Sequence, residues 1–429
     1  MKRAGPGITE KNPHIFLSFK NQDDLYSSLR YVLIFGRIIG LIPWQGMFQP
    51  FSENLKFTWR SQAAIYSVTM SCLLFFSAVI NGFVSFRNTN VSPSDLAWSA
   101  NLAVFYGIGG YMYLFMVNQA HKFLRVFQKW RETFIFYDGV DQKLFRDVNI
   151  IALCIFTSCI LEHSYAHLKF FPIVGNSERR LIARKDLQVK LANASAWETY
   201  YWRSHPFVGD IIPYHFISAF GVFILAKYSI LAWNFGDILV TVMSRALYYR
   251  FKMLHQQAQQ ILVGQDGLLC RDTAKWRQLA VDHEKLCDLA QTCEELLSPL
   301  VFALFGVNVY YFCIQLNLGL TPTANTTLIA SIYAVWSFLH LIMRLLVVSI
   351  TASHIHTHAH KIVDVLKKCP IECYTAEIER AERLIRTSQI GLTGLGCFTI
   401  TRQFILQIVN VVFTFEIVLL QTSNTNSSS

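Results

Sequence analysis

The chain has 429 residues, of which 53% are hydrophobic, 14% aromatic and only 15% charged. Soluble domains carry about 25% charged residues, so this composition excludes intrinsic disorder and argues against a soluble enzyme. The net charge of +10 is not gathered in one arm or stripe, which excludes a nucleic-acid partner.

A helix crosses the bilayer core with about 20 apolar residues. Seven stretches meet that requirement: 62–86, 96–117, 148–171, 211–235, 300–320, 328–350 and 401–421. Residues 1–20 are polar and have no signal-peptide core. The next stretch, 29–48, is apolar but contains Arg30 and Arg37 and ends in Ile42-Pro43-Trp44. Each arginine at a helix centre costs roughly 2.5–3.5 kcal/mol on insertion, so a re-entrant or interfacial segment is expected there. The predicted fold class is all-α: a polytopic membrane protein of seven spans.

Basic residues accumulate in cytoplasmic loops. With the N-terminus inside, 28 of the 38 Lys and Arg fall in cytoplasmic pieces, counting Arg402 at the inner end of the last span with them, 7 fall outside, and the other three, Lys169, Lys227 and Arg344, lie within spans. The four glycosylation sequons, at Asn90, Asn193, Asn325 and Asn426, then all lie outside. The expected C-terminus is extracellular, the reverse of the G-protein-coupled receptor arrangement.

This predicts a cytoplasmic segment at 1–61 and four spans over 62–235, with a ligand pocket in their outer halves. Helical cytoplasmic anchor regions follow at 236–299 and 351–400. Between them lie the fifth and sixth spans, 300–350, and after them a last helix at 401–421 and an outer tail at 422–429. Within 272–297, Trp276, Leu279, Ala280, Leu286, Leu289, Ala290, Cys293, Leu296 and Leu297 recur at steps of three and four, an amphipathic helix leading into the fifth span. Residues 376–386 predict a second polar helix.

None of the ten cysteines falls in an outside loop, so no disulfide framework is expected. Cys369 and Cys373 follow His354, His356, His358 and His360, but Cys-x3-Cys around Pro370 is not a zinc-ligand spacing, and no metal is expected. No phosphate loop, Gly-x-Ser-x-Gly or His-Glu-x-x-His occurs, and no enzyme activity or cofactor is expected.

The last span reads Thr401-Arg402-Gln403-Phe404, an apolar run, then Thr414-Phe415-Glu416 and Leu420-Gln421-Thr422. It resembles the C-terminal signature of insect gustatory receptors, Thr-Tyr, five mostly apolar residues, Gln-Phe, and Glu416 resembles the sugar-receptor branch. Glu162-His163, Trp233-Asn234 with Asp237, residues 244–251, Asn308, Tyr311-Phe312, Gln315-Leu316, Arg344 and Thr351-Ala352 extend the resemblance over 157–422. Phe415 and Thr422 depart from the signature, where Tyr and Phe are usual. The resemblance implies a sugar-gated, poorly selective cation channel in the plasma membrane of chemosensory neurons. It implies a homotetramer, or a heterotetramer with related receptors, whose last helices line the pore, with Glu416, Leu420, Gln421 and Thr422 near the gate. The last helix, read as nearly all apolar up to Gln421, would present a ring of amides only in several copies.

Ionisable residues inside spans are costly and mark candidate sites. Sugars need carboxylates and amides for adjacent hydroxyls and aromatic faces for the apolar side of the ring. Glu162, His163 and His167 on the third span, and Asn308, Tyr311 and Gln315 on one face of the fifth, supply these groups. Trp98 and Asn101 on the second span and Tyr333 and Trp336 on the sixth are candidates to close the same cavity. Arg344 and Asp237 suit a structural salt bridge. A seven-span transporter or a metabotropic chemoreceptor remains the alternative.

Overall fold

The computed structural model describes residues 25–49, 52–87, 93–133, 142–171, 194–263, 270–320 and 328–427. Asn90, Asn193 and Asn325 lie outside the described residues.

The chain opens with α1 (Leu25–Ile38), whose Leu25, Tyr26, Leu29, Val32 and Leu33 form one buried face. At about 21 Å it is too short to cross a bilayer core of about 30 Å. Its arginines are held by carbonyls, Arg30 on that of Phe48 and Arg37 on that of Ile42. Trp44 is fully buried against Phe123 and Phe127.

Next come α2 (Gln62–Arg87) and α3 (Pro93–Asn118), tied by a hydrogen bond from Ser71 Oγ to the Gly110 carbonyl at 2.9 Å. The amphipathic α4 (Ala120–Glu132) follows, burying Phe123, Val126, Phe127 and Trp130, and then α5 (Gln142–Phe170). Two short helices, α6 (Ala196–Ser204) and α7 (Pro206–Gly209), lead into α8 (Phe216–Val263).

α8 is the axis of the fold. Residues 232–244 are buried all round, and the helix packs on α3, α5, α9 (Thr273–Leu320) and α10 (Leu328–Lys361). Gly109 on α3 makes this approach possible, because a Cβ there would stand 2.3 Å from Ser229 Oγ. In its place Ser229 donates to the Phe105 carbonyl at 2.7 Å.

Among the described residues six helices, α2, α3, α5, α8, α9 and α10, are long and apolar enough to cross a membrane. α8 and α9 each have 48 residues, so each is about 72 Å long, more than twice a bilayer core. The apolar part of α9 and its amphipathic part are one helix, meeting near Pro299, which cannot supply the N–H for the carbonyl of residue 295. The 211–235 run differs from expectation: 211–215 lies outside any helix, and α8 runs on 28 residues past Phe235 without a break.

The far parts of α8, α9 and α10 pack with α4, α11 (Val363–Leu366) and α12 (Ala376–Thr387) into an anchor layer. Lys129 on α4 pairs with Asp288 at 2.6 Å, Arg277 on α9 with Glu377 on α12 at 2.8 Å, and Arg380 with Glu284. A two-stranded hairpin, β1 (Thr393–Gly394) and β2 (Phe398–Thr399), turns through Leu395 and Gly396, both at positive φ. Ser298 Oγ on α9 accepts the Leu395 N–H at 2.8 Å and fixes this turn.

The last helix is α13 (Arg402–Ser427), started by Thr401 Oγ1, which accepts from the Phe404 N–H. Leu406, Val411 and Phe413 are more than 60% exposed, so most of this helix has no cover within one chain. The expectation of a helix apolar up to Gln421 needs correction. Gln403, Gln407, Asn410 and Thr414 are all exposed and, at steps of four, three and four, lie along one face. Glu416, Leu420, Gln421, Thr422 and Asn426 are on α13, with side chains outside the described set.

Candidate functional site

One cavity of about 140 Å³ lies between α3, α5, α8, α9 and α10 and is covered by α6. Roughly 10–15 Å³ holds a water on this measure, so the space suits a small organic molecule. Of the sequence candidates, Trp98, Asn101, Glu162, His163, His167, Tyr311, Gln315 and Tyr333 line it.

One wall is a relay of polar groups. Gln315 Nε2 donates to Ser337 Oγ at 2.7 Å, and Ser337 Oγ donates to Glu162 Oε1 at 2.9 Å. The Tyr333 hydroxyl is bonded within the same group. His163 and His167, four residues apart on α5, share a face, and Glu162 borders it one position earlier. The two imidazoles meet Nε2 to Nε2 at 2.9 Å, so one neutral ring donates to the other, and His163 stacks on Phe105.

The opposite wall is aromatic. Trp233 on α8 and Tyr311 on α9 lie with ring centroids 4.8 Å apart, and the Tyr311 hydroxyl donates to the Asn101 carbonyl. Arg344 closes the floor, its guanidinium 4.1 Å from the Trp233 ring centroid. It donates from Nε to Asp237 Oδ2 at 2.7 Å and pairs with the same oxygen through Nη2. Asn308 belongs to this cluster beneath the cavity: it donates to Asp237 at 3.4 Å and accepts from Arg344 at 3.3 Å. It is not among the lining residues. Trp336 is not either, and its Nε1 donates to the Ser158 carbonyl. His340, held by Ser158 at 2.7 Å and Asn234 at 3.2 Å, does line the cavity.

The roof was the least legible part. Ser195 accepts from the Glu198 N–H at 3.2 Å, starting α6 in a chain stretch otherwise read as a loop. That Ser-x-x-Glu spacing, the capping-box pattern, is the signal that could have found it. α6 brings Tyr200 over His167, with ring centroids 5.4 Å apart, and the next turn brings His205 to Tyr106 at 2.5 Å. Trp233 and His340 were also missed as lining residues, since only the packing of α8 and α10 turns them inward.

The most informative feature is what the walls leave unpaired. Trp233 Nε1, the Tyr200 hydroxyl, the amide oxygens of Asn101 and Gln315, and His167 Nδ1 are buried without a hydrogen-bond partner among the described residues. All five residues line the cavity. A buried polar group left unpaired costs about 1–3 kcal/mol, so five on one small cavity mark a place for a ligand rich in donors and acceptors. Among the described residues, no group of three or more His, Cys, Asp or Glu is arranged to hold a metal ion.

The trehalose receptor family profile matches residues 1–429. The chain belongs to this family, the sugar-receptor branch of the insect gustatory receptors. The likeness therefore reaches the first third of the chain, where the motifs alone had shown only a pattern of spans. Among the relatives is the gustatory receptor for sugar taste 64a of Drosophila melanogaster, 22% identical over 97% of this chain and 88% of its own length. The gustatory receptor for sugar taste 61a of the same fly is 24% identical over 94% and 90%. The gustatory receptor 5a for trehalose is 25% identical over 44% of this chain and 41% of its own. Of solved structures, the insect olfactory receptor OR5 from Machilis hrabei has a TM-score of 0.66 at 14% identity, covering 96% of this chain and 99% of that one. Its complex with eugenol scores 0.60 at 16% identity. This gustatory receptor chain is thus a multi-pass membrane protein of receptor and not enzyme lineage, with the fold of an insect olfactory receptor.

Proposed function

We propose that this chain is a sugar receptor that binds its ligand in the cavity and acts as a ligand-gated, poorly selective cation channel in the plasma membrane of chemosensory neurons. The observation that carries the reading is the set of five unpaired polar atoms on one cavity walled by Trp233, Tyr311 and Phe105. A sugar offers hydroxyls that both donate and accept, and an apolar ring face to lie on an aromatic wall. Trp233 donates, Asn101 and Gln315 accept through their amide oxygens, His167 Nδ1 donates or accepts according to its tautomer, and Glu162, held by the Ser337 relay, accepts from further hydroxyls.

Gating follows from the position of the cavity. It is built from α3, α5, α8, α9 and α10, while α13 packs chiefly on α9 and α10. A sugar that binds better when α9 and α10 are displaced favours the state in which α13 has moved, by its difference in affinity between the two states. Four copies of α13, from one receptor or from several, would surround a path for cations. The exposed Gln403, Gln407, Asn410 and Thr414 face would give that path a neutral polar lining, with Leu420, Gln421, Thr422 and Glu416 towards its outer end. Expression in cells that lack other taste proteins, alone and with related receptors, tests the function: a sugar-evoked cation current is expected. Absence of both current and sugar binding counts against it. Saturating sugar flux without current favours a transporter.

A further inference from the structure

A second polar cluster lies at the anchor end, around the ring of Tyr248 on α8. His354 and His358, one turn apart on α10, lie against that ring with centroids at 5.3 and 4.8 Å. The Arg245 guanidinium is 4.9 Å from the ring centroid and Lys252 Nζ is 5.9 Å from it. Lys361 at the end of α10, Arg402 at the start of α13 and His255 on α8 are electrostatic neighbours of these imidazoles. Three separate helices thus bring basic groups to one place, and Tyr248, His255, His354 and His358 are all half-buried, open to solution on one side.

The negative charge nearby does not balance them. Asp147 is taken up by Arg245 at 2.8 Å and by the Tyr249 hydroxyl at 2.7 Å. Asp364, which faces His255, also lies 3.9 Å from Lys367. Among the described residues, Lys252, Lys361 and Arg402 make no ion pair. The Nδ1 atoms of His255, His354 and His358 are buried without a hydrogen-bond partner among the described residues. Like charges held this close repel, and a cation would find the same field unfavourable. An anion with several acceptor oxygens supplies both the missing charge and the missing partners, and Lys acts on phosphate as a point charge.

We propose that this cluster is a binding site for a phosphate-bearing ligand, either the headgroup of an anionic inner-leaflet lipid or a free polyphosphate, which bridges α8, α10 and the first residue of α13. The site stands apart from the sugar cavity, on the part of α10 beyond its apolar 328–350 run. Burial, together with Lys361, pushes His358 down to about 4, and burial with Arg245 lowers His354. Both imidazoles are therefore neutral near pH 7, and a phosphate dianion favours their protonated forms. Binding takes up protons at the imidazoles and strengthens as pH falls from 7 to about 6, above the range in which a phosphate group gives up its second charge. The charged groups that face these imidazoles are Arg245, Lys252, Lys361 and Arg402, with Asp147 held by Arg245 and Asp364 facing His255.

The test uses the purified full-length chain in detergent, with melting temperature as readout. The probes are pyrophosphate, inositol hexakisphosphate, and phosphatidylcholine vesicles with and without phosphatidylinositol bisphosphate. A rise in melting temperature is expected, larger at the lower pH. Lys252→Gln and Lys361→Gln should each weaken binding by roughly fivefold, about 1 kcal/mol per basic residue. His358→Gln should remove most of the pH dependence. Arg383→Gln, an exposed basic residue on α12, should change nothing. Each variant must keep the wild-type melting temperature without phosphate, which separates lost binding from lost folding. A shift with both soluble probes assigns a free polyphosphate, and a shift only with the bisphosphate vesicles assigns a headgroup. No shift with any probe, or a shift that survives Lys252→Gln with Lys361→Gln, overturns the proposal.

Discussion

The long helices α8, α9 and α10 pass through two polar environments that follow opposite rules. Directly below the cavity, polar groups are matched: Asp237, Arg344 and Asn308 bond one another, and further along α9 Ser298 and Glu294 hold the hairpin before α13. Within the cavity, Trp233, Tyr200, Asn101, Gln315 and His167 each keep a free polar atom. The matched cluster suits a structural part and the unmatched cavity a binding part. The same residue types serve both, and it is pairing, not identity, that separates them.

The largest way to break this contrast is to unmatch the matched cluster. Arg344→Met leaves the Asp237 carboxylate buried without its cation, which costs about 3–5 kcal/mol. The expected result is a marked fall in melting temperature and in the yield of monodisperse protein. Arg344→Met with Asp237→Leu should recover much of that loss, because no charge then remains unpaired.

Smaller and of opposite sign is the effect of removing an unmatched group. Asn101→Leu takes away a polar atom that is orphaned in the empty protein, so the melting temperature should rise or hold while sugar affinity falls. Differential scanning fluorimetry with and without sugar reads both changes in one experiment.

Smaller again is Ser298→Ala. It removes the acceptor of the Leu395 N–H, at about 1 kcal/mol, and loosens the turn that leads into α13. Under the proposed gating, the sugar concentration for half-maximal current should shift while sugar affinity in the detergent-solubilised protein changes little. Smallest is Asn410→Leu on the exposed face of α13, which should reduce single-channel conductance and leave sugar affinity unchanged.

Much of the architecture was legible because an apolar run of bilayer length is a strong signal that needs no partner to be read. The candidates on α5 were legible for a similar reason: Glu162, His163 and His167 are local to one helix, His163 and His167 share a face by their spacing, and Glu162 adjoins them. Asn308 shows the limit. It shares a face with Tyr311 and Gln315, but it sits about 10 Å further along the helix axis than Gln315, and there Asp237 and Arg344 take it. The roof was illegible because α6 has only nine residues, too few for a periodic pattern, and its role depends on folding back over α5. The polar face of α13 was hidden by averaging, since four polar residues in a largely apolar run alter its mean little while falling on one side.

The central claim is that the free polar atoms of the cavity belong to a sugar. Trp233→Phe tests it most directly, because it removes the Nε1 donor, retains an aromatic wall and leaves no protein hydrogen bond broken. Isothermal titration of the purified receptor with its activating sugar should show affinity reduced by roughly fivefold, near 1 kcal/mol for one hydrogen bond, with the melting temperature of the sugar-free protein unchanged or higher. Sugar affinity identical to wild type, in a variant of wild-type stability, would contradict the account.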